Sequence, residues 1–258
     1  MPAPPLDPFA PFRLDGRVVI VTGASSGLGD RFARVLHAAG ATVVIAARRA
    51  DRLEALAAEL PGTTVVAADV AIDADCERLV ETTLSTHGRL DVLVNNAGIG
   101  LAAPAESEDI EVFRQHLAVN VTGAYLLSQL AGRHFLAAGG GVIVNIASVL
   151  GLISAGQIPF TSYGTSKGAM VQLTRELAGQ WARRGIRVNA LAPGWFASEM
   201  TTDMFEDESS ANWIRRKSPM GRAGEAHELD GALLFLASDA SSYMTGQILA
   251  VDGGWMAV

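Results

Sequence analysis

Short apolar runs and amphipathic stretches alternate along most of the chain. Residues 17–22, 42–47, 63–67, 91–95, 141–147, 186–191 and 247–251 are rich in Val and Ile and almost continuously apolar. Runs of this length without polar alternation predict strands buried on both faces, as in a parallel sheet. Helical patterns lie between them. Leu53, Leu56, Ala57 and Leu60 recur at the spacing of one helix face, and so do Phe32, Val35, Leu36 and Ala39. Asp51 is the expected N-cap of the 51–60 helix. Seven strands with intervening helices predict an α/β fold of Rossmann type, a doubly wound seven-stranded parallel sheet with helices on both faces. Residues 14–258 show no linker or repeat and read as one domain. Residues 195–222 break the alternation with polar, aromatic and Met positions, as a lid over a site would.

Composition narrows the picture. Nearly half of the 258 residues are apolar, enough for a substantial core. No apolar run approaches the ~18 residues of a membrane span, so no membrane partner is expected. Half of the ten prolines crowd into residues 1–11 of a Pro-rich extension, 1–13, which is expected to be non-helical and extended. That start has neither the charge nor the apolar run of a secretory signal. Cys76 is the single cysteine, sits in an amphipathic stretch and reads as packing; its solitude fits a reducing cytoplasm. A net charge of −7 without a basic stripe argues against nucleic acid. No metal site is expected. Of 20 basic residues, only Lys167 and Lys217 are lysine.

The first predicted strand runs into Gly23, Ala24, Ser25, Ser26, Gly27, Leu28 and Gly29, after which a helix begins. Glycines there let the backbone turn sharply and approach a pyrophosphate, while the helix N-terminus offers free N–H groups. The second strand ends on Ala46, Ala47, Arg48 and Arg49, with no carboxylate. An acidic residue at this place suits the ribose 2′-hydroxyl of NAD, and an arginine suits the 2′-phosphate of NADP, so NADP(H) is favoured over NAD(H). The bland alternative is that both arginines solvate the start of a helix. Asp69 and Val70 follow the third strand and could meet an adenine edge. Asn95, Asn96, Ala97 and Gly98 follow the fourth and could line the same groove, although each segment alone could be an ordinary turn.

Chemistry enters with Tyr163 and Lys167, four residues apart at the head of a helical run and so on one helix face. A phenol titrates near 10 when unperturbed, and a neighbouring ammonium is expected to lower that value. The phenol then becomes a general acid for a developing alkoxide, or a base in reverse. A chain that almost always uses arginine keeps lysine here, consistent with a role that guanidinium fills poorly. Ser148 ends the fifth strand at the sheet edge where ligands bind, although a lone serine at a strand end is ordinarily a turn residue. Asn120 falls within an apolar helical run, where a buried amide needs partners; a water or a backbone group near Lys167 would serve.

Taken together, TGASSGLG at 22–29, NNAG at 95–98, Asn120, Ser148, YGTSK at 163–167 and PG at 193–194 resemble the short-chain dehydrogenase/reductase family, over residues 14–254. The resemblance implies roles. Tyr163 is the acid/base, Lys167 lowers its pKa and holds the nicotinamide ribose, Ser148 orients the carbonyl, and Asn120 anchors a relay water. Pro193 and Gly194 flank the nicotinamide, and Ser198 stands where many relatives carry a threonine against the carboxamide. It also implies a homotetramer. Two features depart from the pattern: the longer segment between Ser148 and Tyr163, and the Pro-rich start. The expected activity is hydride transfer between NADP(H) and a ketone or 3-oxoacyl carbonyl. Alternatives are an alcohol dehydrogenase working oxidatively and a non-catalytic dinucleotide sensor. Phe160, Trp195, Phe196, Met200, Met204 and Phe205 suggest an apolar small-molecule substrate, or else the packing of a lid on the body.

Overall fold

Each apolar run becomes a strand, and the strands form one parallel sheet. The computed structural model describes residues 6–257 apart from Gln157, Ser198 and Met200, with Asp203 described by its backbone alone. The strands are β1 (Val18–Thr22), β2 (Thr42–Ala47), β3 (Thr64–Ala67), β4 (Val92–Asn95), β5 (Gly141–Ile146), β6 (Ile186–Pro193) and β7 (Ile248–Val251). Their order is β3-β2-β1-β4-β5-β6-β7, and every pairing is parallel. The order reverses between β1 and β4. The crevice that this leaves at the carboxyl ends of the strands is where open α/β sheets take ligands.

The helices are α1 (Gly27–Ala38), α2 (Ala50–Glu59), α3 (Asp73–His87), α4 (Ile110–Leu117), α5 (Ala124–Ala138), α6 (Thr161–Trp181), α7 (Thr202–Glu206), α8 (Glu208–Lys217) and α9 (Asp230–Ala237). Successive residues of β1 point to opposite faces, and the two core layers divide accordingly. Val19 and Val21 pack under Phe32 and Leu36 of α1, Leu53 of α2 and Leu233 of α9. Val18 and Ile20 belong to the other layer, with Leu79 of α3, Leu127 and Phe135 of α5 and Leu177 of α6. Cys76 is buried in this second layer, as its packing role requires, and burial pushes its thiol up to about 11.

Three local expectations are corrected. The N-cap of α2 is Arg49 rather than Asp51, which lies within the first turn, where a carboxylate favours the helix dipole. Ala10–Phe12 forms a single 3-10 turn in the Pro-rich start, with Pro11 at its beginning, where a missing N–H costs nothing. On α1 the buried face runs through Ala33 in place of Val35.

A buried amide network fastens the β4–β5 part of the sheet to α5 and α6. Asn95 Nδ2 donates to Asn145 Oδ1 at 2.9 Å and to Ser128 Oγ of α5 at 3.0 Å. Asn145 Nδ2 in turn donates to Thr174 Oγ1 of α6 at 2.9 Å. Adjacent strands β4 and β5 are thereby tied to the two helices behind them, and α6 carries Tyr163 and Lys167. Asn95 therefore serves packing and not the groove.

Candidate active site

The crevice is a cleft of about 560 Å³ that gathers residues from almost every strand end. Gly23, Ser25, Ser26, Gly27, Leu28 and Gly29 form one wall, with Arg48, Arg49, Asp69 and Val70 beyond them. Asn96, Ala97 and Gly98 lie opposite, and Ser148, Tyr163, Lys167, Pro193 and Gly194 close the far end. Every cofactor residue expected from the sequence lines this cleft except Ser198, which lies outside the described residues.

The glycine-rich turn has the shape a dinucleotide needs. Gly23 and Gly27 take positive φ values of 69° and 55°, which side chains rarely adopt. A Cβ on Gly29 would sit 2.2 Å from the Gly23 carbonyl oxygen and 2.5 Å from Asn96 Nδ2. Thr22 joins this turn to the loop after β4. Its hydroxyl accepts from the backbone N–H of Asn96 and of Ala97, both at 3.0 Å, while Asn96 Nδ2 donates to the Thr22 carbonyl at 2.8 Å. Ser26, the N-cap of α1, makes no side-chain cap bond. The first N–H groups of α1 thus remain open to an anion in the cleft. Glycine cradle, uncapped helix and arginines fit a nicotinamide dinucleotide. Gly29→Ala is expected to weaken nucleotide binding by at least about tenfold and to destabilise the fold by ~1–3 kcal/mol, measured by calorimetric titration and thermal unfolding.

At the other end, Lys167 is only 4% exposed, and its Nζ donates to the Ile146 carbonyl at 2.8 Å. It lies 5.7 Å from the centroid of the Tyr163 ring, on the shared face of α6. Burial pulls the ammonium down to about 8. Tyr163 differs from expectation: burial raises its phenol above the ordinary value, and interaction with the Ser148 hydroxyl only partly opposes this. The lysine does not outweigh desolvation of the phenolate, so the phenol keeps its proton through neutral pH.

Ser148 is buried at the end of β5, where its Oγ accepts from the Leu150 N–H at 3.1 Å and caps a short 3-10 turn, Val149–Gly151. A Cβ on Gly151 would lie 2.5 Å from the Lys167 backbone, so this turn packs directly on α6. Asn120 lies on a π-helical stretch, Ala118–Gly123, between α4 and α5, instead of in regular helix. Such turns re-aim side chains at functional positions. Its Oδ1 accepts from the Ile99 N–H at 2.8 Å, and its Nδ2 donates to the Ile99 carbonyl and to Ser166 Oγ, both at 2.9 Å. The backbone partner expected for Asn120 is therefore Ile99. Asn120 Oδ1 and Lys167 Nζ both border Gly98, at 3.3 and 3.5 Å from where its Cβ would stand.

Most of the aromatic residues expected at a substrate pocket or lid pack inward. Trp195 stacks edge-on against Trp213 and Trp255 at 5.7 Å, and Phe160 bridges Trp195 to Tyr163. Trp195, Phe160, Met204 and Phe205 share one cluster with Ile214 of α8. Of the described residues behind the apolar-substrate expectation, only Phe196 lines the cleft. The expectation loses its basis: these side chains are spent on holding the segment to the body. Sequence reasoning missed Thr22, whose role depends on strand register, and Glu199, which also lines the cleft and is paired with Arg49 at 2.9 Å. No spacing or pattern connects those last two positions.

A glycine cradle and a Ser–Tyr–Lys group at opposite ends of one cleft, on a seven-stranded parallel sheet, define a nucleotide-dependent α/β oxidoreductase. Residues 23–256 match a family model described as Enoyl-(Acyl carrier protein) reductase. The chain is 46% identical over 247 residues to galactitol 2-dehydrogenase (L-tagatose-forming) of Cereibacter sphaeroides, covering 95% of this chain and 96% of that one. It is 38% identical over 248 residues to gluconate 5-dehydrogenase of Gluconobacter oxydans, covering 94% and 96%. A solved gluconate 5-dehydrogenase from Burkholderia cenocepacia, in complex with NADP and tartrate, superposes with a TM-score of 0.91 at 36% identity, covering 96% of this chain and 98% of that one. The chain belongs to the short-chain dehydrogenase/reductase family and is an oxidoreductase acting on a secondary alcohol or ketone.

Proposed function

We propose that the protein interconverts a secondary alcohol of a polyol or sugar acid and the matching ketone, with NADP(H) as hydride carrier. The grouping of Ser148, Tyr163 and Lys167 at one end of a cleft whose other end is a glycine cradle carries this reading. The bound nicotinamide supplies or accepts the hydride. Tyr163 gives a proton to the carbonyl oxygen in reduction and takes it back in oxidation. Ser148 holds that oxygen, and Lys167 stabilises negative charge on the phenol side. Asn120 keeps the loop at Ile99 and Gly98 in place beside Lys167. Arg48 and Arg49 favour NADP(H) over NAD(H).

The names of the relatives favour a polyhydroxylated substrate over a 3-oxoacyl thioester, and the inward packing of the lid aromatics agrees with them. The segment at 195–222 acts as the lid over the substrate. The homotetramer rests on the family resemblance, and the cytoplasmic setting on the solitary Cys76. Steady-state assays of galactitol, gluconate and related polyols with NADP+ and NAD+, beside ketoses and acyl thioesters with NADPH, test the reading. Turnover is expected with polyols or sugar acids and with NADP+ ahead of NAD+. Turnover confined to acyl thioesters, or absent throughout the series, would overturn it.

A further inference from the structure

Glu199 occupies an anion seat at the edge of the cleft. Arg49 grips its carboxylate with both arms of the fork, Nη1 to Oε1 at 3.0 Å and Nη2 to Oε2 at 2.9 Å. Arg52 Nη1 adds a third bond to Oε1 at 3.0 Å. The same Arg49 donates to both hydroxyls of the glycine-rich turn: to Ser25 Oγ at 3.2 and 3.0 Å, and to Ser26 Oγ at 2.8 Å. These partners, Arg49 first and then Ser26 and Arg52, hold the Glu199 carboxyl well below the usual carboxylate range. Arg48 is engaged far less: it pairs with Asp69 at 4.0 Å, and most of its side chain is in solvent.

Two arginines and the Ser26 hydroxyl at one carboxylate, with Ser25 bonded to Arg49 behind them, make a seat suited to an anion of higher charge. A phosphate monoester carries nearly two negative charges and three strong acceptor oxygens. Arg49 also stands at the carboxyl end of β2 beside the glycine-rich turn, where an arginine accommodates the 2′-phosphate of NADP. The hydroxyl at the same position of NAD has no such charge to offer.

We propose that Glu199 is a built-in competitor for the 2′-phosphate of NADP(H), and so sets how strongly the cleft discriminates NADP(H) from NAD(H). The proposal rests on the NADP(H) reading above. An incoming 2′-phosphate takes Arg49, and Glu199 gives it up. With NAD(H) the Arg49–Glu199 pair stays closed. Glu199 belongs to the same segment as Phe196, so the exchange also frees part of the cleft wall from the glycine-rich turn.

The test is calorimetric titration of wild type and Glu199→Gln with 2′,5′-ADP and with 5′-AMP, two nucleotides that differ by the 2′-phosphate. Glutamine keeps the size of the side chain and removes the charge, and 5′-AMP binding reports an intact cleft. The variant is expected to bind 2′,5′-ADP about three- to tenfold more tightly, with 5′-AMP changed by less than about twofold. An unchanged affinity for 2′,5′-ADP, or an equal change for both nucleotides, overturns the proposal. If wild type prefers 2′,5′-ADP and the variant merely keeps that preference, the competition alone falls. If neither protein distinguishes the two nucleotides, the 2′-phosphate reading falls with it.

Discussion

Tyr163→Phe is expected to lower kcat by about 10²–10⁴-fold while leaving NADPH affinity within about twofold of wild type. The substitution removes one oxygen and keeps the ring, which packs between Phe160 and the Lys167 side chain. The glycine cradle lies at the other end of the cleft and does not depend on the phenol. Single-turnover fluorescence of bound NADPH separates the two effects, because binding and hydride transfer are read in one trace. Retention of wild-type turnover would remove Tyr163 as the proton donor.

Lys167→Met is expected to have the next largest effect, about 10²–10³-fold on kcat, from loss of a preorganised positive charge in a buried site. Methionine fills the space but leaves the Ile146 carbonyl without its donor. Lys167 carries its charge below about 8 and loses it above. The raised pKa of Tyr163 keeps the phenol protonated across the same range. Reduction, which needs the phenol and the ammonium together, is therefore expected to hold steady near neutrality and to decline above about 8. Oxidation needs the phenolate and is expected to rise with pH. In Lys167→Met the alkaline decline of reduction should vanish; its persistence would assign that limb to another group.

The sheet was legible because strands buried on both faces must be apolar throughout, and few other segments satisfy that. The ends of all seven strands fall within two residues of the sequence reading. The largest difference is at β6, which runs on through Ala192 and Pro193. Proline is tolerated at that final position because the next bond across to β7 is supplied by the Gly194 N–H, donating to the Val251 carbonyl at 2.9 Å. Tyr163, Lys167, Ser148 and the glycines were legible for another reason: local geometry, four residues on a helix or one strand end, already brings each to the carboxyl edge.

What stayed hidden depends on residues distant in sequence. The π-helical stretch at Asn120 ends on Gly123, which packs so closely that a Cβ would stand 2.2 Å from the Val70 carbonyl oxygen. The raised Tyr163 pKa reflects burial that no spacing encodes. Pocket wall and packing were equally open for Phe160, Trp195 and their neighbours because the sequence cannot say which side of Trp195 faces Trp255. The Arg49–Glu199 pair joins an ordinary helix start to an irregular segment, and each residue alone reads as a solvated charge.

In the proposed reaction hydride passes directly between a carbinol carbon and the nicotinamide in this cleft. The most direct test uses galactitol deuterated at its secondary carbinol carbons, incubated with the protein and NADP+, followed by mass analysis of the reduced cofactor. One deuterium per reduced nicotinamide is predicted, with a ketose as the other product. Reduced cofactor that forms without deuterium would contradict the account, as would a galactitol that stays untouched while an acyl thioester is reduced under the same conditions.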